Sequence, residues 1–336
     1  MRLPEKDQQL FTERYGSRRV CVTGGAGFIG GHLARALLEI GADVSIIDDL
    51  SGSDGSVVDA LIDEFGGERV RFVYGSILEP AALDDAVEGT DYVFHLAAMG
   101  SVPQSLREPE RCMQVNTIGT MRVAQSARRA SVNRWVFAAS SSAYGNDATL
   151  PKRETQTLTP VSPYAASKLG GEFIVRTWST SFGLPGVSLR YFNVFGAGQR
   201  AENQYAAVVA SFMKRLCRGE RPIIYGDGTQ SRDFTHVSNA VYGTLLAGAR
   251  EWNFTGQAVN IGTGRQTTID ELARTVARLF DREDLTPEHR DPREGDVPHS
   301  VADISHARSL LGYEPINWYT RTDPECTEQP SNEPSG

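Results

Sequence analysis

Short apolar segments alternate with amphipathic segments along the first 190 residues of the chain. The apolar segments predict strands near residues 20–23, 44–47, 70–74, 92–96, 135–139 and 187–190. Helical spacing of apolar positions predicts helices after Gly30, from Pro80, near residues 108–130 and from Pro163. Strands that alternate with helices form a parallel sheet covered on both faces. The predicted fold class is therefore α/β, a Rossmann-type doubly wound parallel sheet with a smaller α/β substrate-binding lobe.

A glycine-rich turn follows the first predicted strand. Gly24, Gly27 and Gly30 permit a tight turn and the close approach of a pyrophosphate to backbone N–H groups at a helix N-terminus. The next strand ends in Asp48, about 24 residues after the first glycine, where a carboxylate can accept from both ribose hydroxyls of an adenosine. A 2′-phosphate would meet Asp48 as a like charge, so the turn predicts an NAD site rather than an NADP site.

A tyrosine and a lysine lie four residues apart in the helix that begins near Pro163. Ser162 suits the N-cap and Pro163 the first helical position, so Tyr164 and Lys168 share one face. A nearby cation lowers the pKa of a phenol from its usual value of about 10, which would make Tyr164 a usable base. The spacing alone also fits a surface pair on an amphipathic helix. Hydroxyls at Ser140–Ser142 follow a predicted strand, at the edge where open α/β sheets place their ligands.

The pattern divides the chain into four segments. We predict an extension at residues 1–16 that forms a short surface helix, a Rossmann domain that binds NAD at 17–190, a second lobe at 191–319, and a disordered tail at 320–336. The boundary near 190 reflects a change to Gly- and Arg-rich connections between separated helices. In the second lobe, Thr268 and Glu271 predict a capping box at the start of a helix.

Composition narrows the class of protein. The chain has 336 residues, 40% hydrophobic, with a formal net charge of -8 and no long basic run, which argues against nucleic acid or an anionic membrane as its main partner. No run of some 18 apolar residues appears, and the N-terminus is charged, so we expect a cytoplasmic protein. The four scattered cysteines have no metal or redox spacing, and we expect them to be reduced, with no metal site.

Found together and in this order, the motifs resemble those of the extended short-chain dehydrogenase/reductases and, within them, the UDP-sugar 4-epimerases. The resemblance spans residues 18–318. It is carried by Gly24-x-x-Gly27-x-x-Gly30, Asp48, His95-Leu96-Ala97-Ala98, Asn116, Ser140–Ser142, Tyr164-x-x-x-Lys168, Arg190-Tyr191-Phe192-Asn193, Gly226-Asp227-Gly228, Arg232-Asp233-Phe234 and Arg293-Glu294-Gly295-Asp296.

The resemblance implies that the lobe at 191–319 is the nucleotide-sugar-binding lobe, and it implies a role for each matched residue. Tyr164 would be the catalytic base, Lys168 its partner and a ribose ligand, and Ser140 a hydroxyl relay. The implied NAD contacts are Gly24, Gly27, Phe28, Ile29, Gly30, Asp48, Ser76, Ile77, Leu96, Ala97, Ala98, Asn116, Tyr164, Lys168 and Tyr191. The implied UDP-sugar contacts are Gly100, Ser101, Ser140, Ser141, Ser142, Asn193, Tyr225, Arg232, Arg293, Asp296 and Ser300. A homodimer is also implied, built from the Tyr164 helix with its Gly170-Gly171 pair and the helix near 108–130.

Two segments depart from the family pattern. Gly75-Ser76-Ile77 stands where the family often has Gly-Asp-Ile or Gly-Asp-Leu, so adenine would be bound by the backbone rather than by a carboxylate. After Gly312-Tyr313-Glu314-Pro315 a final amphipathic helix is replaced by the polar tail.

The expected reaction follows from the chemistry of inversion at a secondary alcohol. The carbon must first be oxidised, so NAD would take a hydride while Tyr164 takes the 4-hydroxyl proton, and a 4-keto sugar would then be reduced on its other face. Dehydratases and decarboxylases of the family place an acidic residue two positions after the relay hydroxyl, where this chain has Ser142. A non-catalytic NAD-binding sensor is a third alternative, but it has no need of Ser140, Tyr164 and Lys168 together.

Ser300 and one loop bear on the choice of sugar. Ser300, seven residues beyond Arg293, stands where a tyrosine in related epimerases goes with UDP-glucose, and a small residue leaves room for a 2-acetamido group. The loop Ala97–Pro103 resembles that of UDP-N-acetylglucosamine 4-epimerases. The expected pair is UDP-N-acetylglucosamine and UDP-N-acetylgalactosamine, with UDP-glucose or UDP-glucuronate 4-epimerase as the alternatives. His95 and His236 are expected to be packed core residues.

Overall fold

The computed structural model describes residues 3–199, 208–292 and 298–316. Its centre is a seven-stranded parallel sheet in the order β11-β6-β5-β4-β1-β2-β3. These strands are β1 (Arg19–Thr23), β2 (Asp43–Asp48), β3 (Val70–Tyr74), β4 (Tyr92–His95), β5 (Arg134–Ser140), β6 (Gly186–Tyr191) and β11 (Thr255–Ile261). The order reverses between β1 and β4, where a doubly wound sheet opens a crevice at the carboxyl ends of its strands.

Helices cover both faces of this sheet. They include α1 (Glu5–Tyr15), α2 (Phe28–Ile40), α3 (Ser56–Phe65), α4 (Pro80–Val87), α7 (Thr120–Arg129), α8 (Pro163–Phe182), α10 (Val237–Ala249) and α12 (Ser305–Leu311), with α5 (Val102–Arg107) and α6 (Pro109–Met113) packed on α8. Helices α9 (Val208–Cys217) and α11 (Ile269–Leu279) instead pack together in the second lobe. Val20 and Val22 of β1 pack into one apolar cluster, and Cys21 packs into another on the opposite face. Burial on both faces explains why the strands are continuous apolar runs.

The second lobe is built from short strands around a third apolar cluster. Its strands are β7 (Val194–Phe195), β8 (Ile223–Tyr225), β9 (Ser231–Arg232), β10 (Thr235–His236), β12 (Thr267–Thr268) and β13 (Glu288–Arg290). They form three two-stranded sheets, β10 with β7, β12 with β9, and β13 with β8. The chain returns to the main sheet after residue 190, because β11 pairs with β6 and α10 packs on the same layer. The predicted fold class is confirmed.

Two helix N-caps predicted from the sequence are present in the structure. The Ser162 hydroxyl accepts from the backbone N–H of Ala165 at 3.1 Å and caps α8. Thr268 caps α11 by accepting from the N–H of Glu271 at 3.0 Å. The other half of the predicted capping box is absent, because the Glu271 carboxylate pairs with Arg265 at 2.6 Å.

The N-terminal helix α1 differs from the predicted surface helix, because one of its faces is buried in the core. Phe11 and Tyr15 are fully buried, and the Tyr15 hydroxyl donates to the carbonyl of Leu245 at 2.6 Å. Asp7 is also buried. Its carboxylate accepts from the Tyr242 hydroxyl at 2.6 Å and pairs with Arg250 at 2.8 Å. Helix α1 therefore covers α10, every residue of which is buried.

The C-terminal part of the described chain ends against α10. Tyr313 is fully buried and donates to the carbonyl of Gly262 at 2.9 Å, and the backbone N–H of Ile316 donates to Asn239 at 2.7 Å. The predicted disordered tail at 320–336 lies outside the described residues. In the ranges that the structure covers, no helix has the length and apolar character needed to cross a membrane.

Replacing Phe11 with alanine should destabilise the whole protein, because it opens a cavity between α1 and α10. The expected loss in the free energy of unfolding is about 3–5 kcal/mol, measured by chemical denaturation. Gln8→Ala, on the exposed face of the same helix, is the matched control and should change stability by less than about 0.5 kcal/mol. Equal, small effects of both substitutions would show that α1 is not part of the core.

Candidate active site

The glycine-rich turn between β1 and α2 forms a shallow cradle. Gly24 has φ of +73°, and a Cβ atom there would lie 2.6 Å from the backbone nitrogen of Ala97. Helix α2 begins at Phe28 with Gly27 as its N-cap, and no side chain caps it. The first-turn N–H groups of a helix have no intrahelical partner. The cradle therefore fits an anionic group such as a pyrophosphate, and only glycine fits at Gly24.

The predicted adenosine contacts lie at the carboxyl ends of β2 and β3. The Asp48 carboxylate accepts from the backbone N–H groups of Ala26 at 3.1 Å and Leu50 at 2.9 Å. Burial raises the pKa of Asp48, and the two amide hydrogen bonds oppose that effect. The Ser76 hydroxyl accepts from the N–H of Leu78 at 3.3 Å. Ile77, in contrast, packs in the core.

Tyr191 does not present its side chain to the site. The ring is buried in the core, and its hydroxyl is hydrogen bonded to that of Thr244 at 2.6 Å. Its position at the end of β6, opposite Ser140 in the register, leaves only its backbone near the carboxyl edge of the sheet. The alternation of side chains along β6 therefore leaves the backbone of Tyr191 for the predicted cofactor contact, which stays a prediction.

The structure brings together the three residues predicted to be catalytic. Ser140 ends β5, and its hydroxyl is hydrogen bonded to the phenol of Tyr164. The Ser142 hydroxyl donates to the Ser140 oxygen at 2.9 Å. Lys168 is buried, donates to the carbonyl of Ala138 at 2.8 Å, and lies over the Phe137 ring.

Burial controls the protonation of this group. It raises the pKa of Tyr164, although the hydrogen bond from Ser140 acts in the opposite direction. Burial lowers the pKa of Lys168 to about 8, so the ammonium still predominates at neutral pH. The Lys168 ammonium donates to the Ala138 carbonyl, and the hydrogen bond from Ser140 is the effect that lowers the Tyr164 pKa here. That Lys168 also lowers this pKa stays a prediction.

Asn116 lies in a π-helical turn (Gln114–Gly119), a feature often found at functional sites. Its amide is fully used within the protein. It accepts from the N–H of Met99 at 2.8 Å, and it donates to the Met99 carbonyl at 3.1 Å and to the Ser167 hydroxyl at 2.9 Å. Asn116 therefore holds the loop after β4 against α8, and its predicted contact with NAD stays a prediction.

Two supporting residues near this loop were not predicted. Ser105 accepts from the backbone N–H of Tyr164 at 3.2 Å, and Ser167 donates to the Tyr164 carbonyl at 2.8 Å. Ser101, a predicted sugar contact, accepts from the N–H of Gln104 and caps α5, next to the exposed Gly100. The position of Ser167 directly before Lys168 was the available signal, whereas Ser105 meets α8 only through the fold.

The second lobe contains a buried carboxylate, that of Asp233. Asp233 accepts from the N–H and hydroxyl of Thr263, and from the backbone N–H groups of Gly264 and Ala302, at 2.6 to 3.2 Å. Asp233 belongs to the Arg232-Asp233-Phe234 motif, but its structural role was not predicted. Burial raises its pKa, and these four hydrogen bonds oppose the shift.

Three of the predicted substrate residues donate hydrogen bonds to the backbone carbonyls of Asp233 or Ser231. Asn193 donates to the Asp233 carbonyl at 3.2 Å, Arg232 donates to the carbonyl of Ser231 at 2.8 Å, and the N–H of Ser300 donates to the same Ser231 carbonyl at 3.0 Å. Tyr225 ends the neighbouring strand β8. Arg293 and Asp296 lie outside the described residues.

The two histidines expected to be core residues are buried, as predicted. Burial lowers the pKa of His95 to about 3 and that of His236 to about 4, so both are neutral at physiological pH. Neither is suited to act as a general base near pH 7. In the parts of the chain that the structure describes, no group of His, Cys, Asp and Glu side chains is arranged to hold a metal ion.

Comparison with known proteins gives the family. Residues 20–262 match the model of the NAD dependent epimerase/dehydratase family. A UDP-glucose 4-epimerase from Mycolicibacterium smegmatis is 35% identical over 299 residues, which cover 88% of this chain and 93% of that protein. The chain therefore belongs to the NAD dependent epimerase/dehydratase family. The resemblance indicated by the sequence motifs is confirmed.

Solved structures agree with this assignment. The UDP-N-acetylglucosamine 4-epimerase from Methanobrevibacter ruminantium M1, in complex with UDP-N-acetylmuramic acid, has a TM-score of 0.83 and 34% identity, covering 90% of this chain and 94% of that one. The UDP-glucuronic acid 4-epimerase from Bacillus cereus, in complex with UDP-glucuronic acid and NAD, has a TM-score of 0.81 and 29% identity, covering 90% and 95%. NAD is the cofactor of this family, and the cradle at Gly24 and the carboxylate of Asp48 fit it.

Proposed function

We propose that this protein interconverts UDP-sugars that differ in configuration at the sugar 4-position, through a 4-keto intermediate. The observation that carries the proposal is the hydrogen-bonded pair of Ser140 and Tyr164, with Lys168 buried on the same helix, at the carboxyl edge of the sheet. That edge also holds the turn at Gly24 and the carboxylate of Asp48. A non-catalytic NAD-binding protein would have no use for the buried ammonium of Lys168 beside a tyrosine.

The protein would hold NAD along the carboxyl edge of the sheet. The N-terminus of α2 would face the pyrophosphate, and Asp48 would accept from the ribose hydroxyls. When bound, NAD accepts a hydride from the sugar carbon and later returns it, so it is regenerated in each turnover.

The acid–base work is done by side chains of this chain. Tyr164 would take the proton of the 4-hydroxyl as the carbon is oxidised and return it when the ketone is reduced. Its raised pKa makes the phenolate costly at rest, so stabilisation must come from the Ser140 hydroxyl and the Lys168 ammonium as charge develops. Inversion requires the keto sugar to turn its other face to the cofactor while its diphosphate stays bound.

The second lobe would bind the nucleotide diphosphate. We infer that Asn193 and Arg232 hold it, together with Arg293 and Asp296. Their positions support this for the first two, because Asn193 donates to the backbone carbonyl of Asp233 and Arg232 shares the Ser231 carbonyl with the N–H of Ser300. The diphosphate is then an anchor about which the sugar can rotate.

Elimination and decarboxylation are less well supported than epimerisation. In the alternative enzymes an acidic residue follows the relay hydroxyl by two positions. Here that residue is Ser142, and its hydroxyl donates to Ser140 at 2.9 Å. No carboxylate is supplied at this position to act on the sugar.

For the sugar itself, we infer that the preferred pair is UDP-N-acetylglucosamine and UDP-N-acetylgalactosamine. Ser300 is only partly exposed, its backbone N–H donates to the Ser231 carbonyl, and its side chain is small. The solved relative from M. ruminantium is a UDP-N-acetylglucosamine 4-epimerase, whereas the M. smegmatis relative is a UDP-glucose 4-epimerase. Space for an acetamido group permits that substrate, and UDP-glucose is then expected to be the weaker one.

We also infer a homodimer built on the outer face of α8 and the helices before it. Apolar side chains are exposed on this face, with Phe173 60% and Ile118 41% exposed. Gly170 and Gly171 serve a different contact from the predicted one between protomers. A Cβ atom at Gly170 would lie 3.3 Å from Thr117, and one at Gly171 would meet Phe137, so both glycines allow close packing within one chain.

Tyr164→Phe should lower kcat by about 10²–10⁴-fold, because it removes only the oxygen that accepts the proton. Affinity for UDP-sugar should be unchanged, since no diphosphate contact is lost. Turnover is measured with both sugar pairs, and bound NAD is measured after denaturation and should match that of the native protein. Ser140→Ala should lower kcat by less than Tyr164→Phe does. A Tyr164→Phe enzyme with a near-native rate would contradict the assignment of Tyr164.

Ser300→Tyr should abolish the reaction of the acetamido sugars and spare that of UDP-glucose, because the added ring fills the space beside C2. The measurement is kcat/KM for both sugar pairs. Ser300→Ala is the control and should leave both values near native, since it keeps the space. Equal loss for both sugars in Ser300→Tyr, or a native enzyme that turns over only UDP-glucose, would reject Ser300 as the determinant.

Phe173→Asp should convert the dimer to a monomer, because a charge would be buried at the centre of an apolar interface. Light scattering coupled to size-exclusion chromatography gives the mass directly. Leu279→Asp, at another exposed apolar position on α11, is the control and should leave the mass unchanged. A native protein that is already monomeric would refute the dimer.

A further inference from the structure

His95 lies at the end of β4, beneath the proposed site, and both of its ring nitrogens are hydrogen bonded. The residue is fully buried. Nδ1 lies 2.7 Å from the Thr23 hydroxyl, and Nε2 lies 2.8 Å from the Thr120 hydroxyl. The imidazole therefore joins the strand before the glycine-rich turn to the first residue of α7.

The neighbouring hydrogen bonds determine the tautomer of His95. Thr120 must donate its one hydroxyl proton to the carbonyl of Asn116, at 2.6 Å, because a carbonyl oxygen can only accept. Thr120 can then only accept from His95, which places the imidazole proton on Nε2. Nδ1 of the neutral ring is left as an acceptor, and Thr23 donates to it. The Thr23 oxygen in turn accepts from the N–H of Ala97 at 3.2 Å.

On the Thr120 side, this chain of hydrogen bonds extends to α8. Thr120 donates to the Asn116 carbonyl, and the side-chain amide of Asn116 is hydrogen bonded to the N–H and carbonyl of Met99 and to the Ser167 hydroxyl. Ser167 donates to the carbonyl of Tyr164 at 2.8 Å. One buried network thus connects the loop at Ala97–Met99, on the cofactor side, with the first turn of α8.

We propose that His95 is a positioning residue, which through Thr120 and Asn116 holds the Ala97–Met99 loop in register with the Tyr164 end of α8. The inference rests on the proposed catalytic role of Tyr164. His95 touches no reacting atom in this scheme. It acts by fixing the distance between the loop against which the cofactor would lie and the helix that carries the base.

Neutrality of the imidazole is essential to this role. A protonated ring would donate from both nitrogens, and Thr23 could then no longer donate to Nδ1. Burial, together with the nearby charge of Lys168, lowers the pKa of His95 to about 3. Phe137 packs beside the ring at 5.5 Å between centroids and excludes water from it.

Thr120→Val tests the proposal, because it keeps the shape of the side chain and removes the hydroxyl between His95 and Asn116. We expect kcat to fall by about tenfold or more, since small displacements of catalytic groups have large effects on rate, while the KM for UDP-sugar stays within about twofold. Thr120→Ser restores the hydroxyl and should restore kcat. Thr275→Val, which removes a comparable helix hydroxyl in the second lobe, should leave kcat unchanged.

A kcat of Thr120→Val equal to that of Thr120→Ser, with Tyr164→Phe inactive, would overturn the role of His95 and leave the proposed function intact. An active Tyr164→Phe enzyme would instead remove the proposed function.

The second measurement, on the native protein, needs no activity. Nitrogen-15 NMR of the imidazole, assigned with His95→Gln, should show the proton on Nε2 and no titration between about pH 5 and 8. A proton on Nδ1, or titration in that range, would overturn the proposal.

Discussion

The position of α8 on the sheet is determined by charged groups buried beneath it. Glu172 of α8 and Arg190 of β6 form a two-pronged ion pair, with N–O distances of 2.9 and 2.7 Å. Lys168, one turn earlier, donates to the carbonyl of Ala138 in β5. A buried charge that loses its partner is strongly destabilising, so the helix cannot slide along the strands without breaking these contacts. The placement of Tyr164 beside Ser140 depends on this constraint.

The same ion pair is connected to the second lobe. Arg190 also donates to the Tyr144 hydroxyl at 2.9 Å, and that hydroxyl donates to Asn260 of β11 at 2.7 Å. The Asn260 amide donates to the carbonyls of Lys152 and Asp303 at 2.8 and 3.2 Å. The network therefore runs from α8, through the sheet, to the segment that follows Ser300. It gives the proposed sugar pocket a fixed relation to the proposed base.

Buried polar side chains align segments that are far apart in the sequence. Asp233 gathers four donors from two segments of the second lobe, and Asn116 binds the backbone of Met99 and the hydroxyl of Ser167. Each such group requires all of its partners, because an unsatisfied polar atom in the interior is costly. The loops that carry predicted ligand contacts are thus fixed by hydrogen bonds to these buried side chains.

Most of the fold and the centre of the site could be predicted from local sequence. The apolar runs, the glycines at 24, 27 and 30, and the Ser162-Pro163 helix start depend on spacing alone, and each produced the expected element. The positions of Asp48, Ser140, Tyr164 and Lys168 could be predicted for the same reason, because each follows from a strand end or a helical turn. The burial of the Tyr191 side chain could not be predicted, since its motif does not indicate which face of β6 packs into the core.

What the sequence by itself determined is the alternation of strands and helices, the glycine-rich turn and the order of the side chains proposed to be catalytic, all of which follow from periodicity and short motifs. Only the tertiary structure decided that α1 belongs to the core, that the Asn116 side chain is hydrogen bonded to Met99, that Gly170 and Gly171 pack within one chain, and that burial raises the Tyr164 pKa. The physical reason is common to these cases. Burial and hydrogen-bond partners come from residues far away along the chain, and no local pattern records which of them will meet.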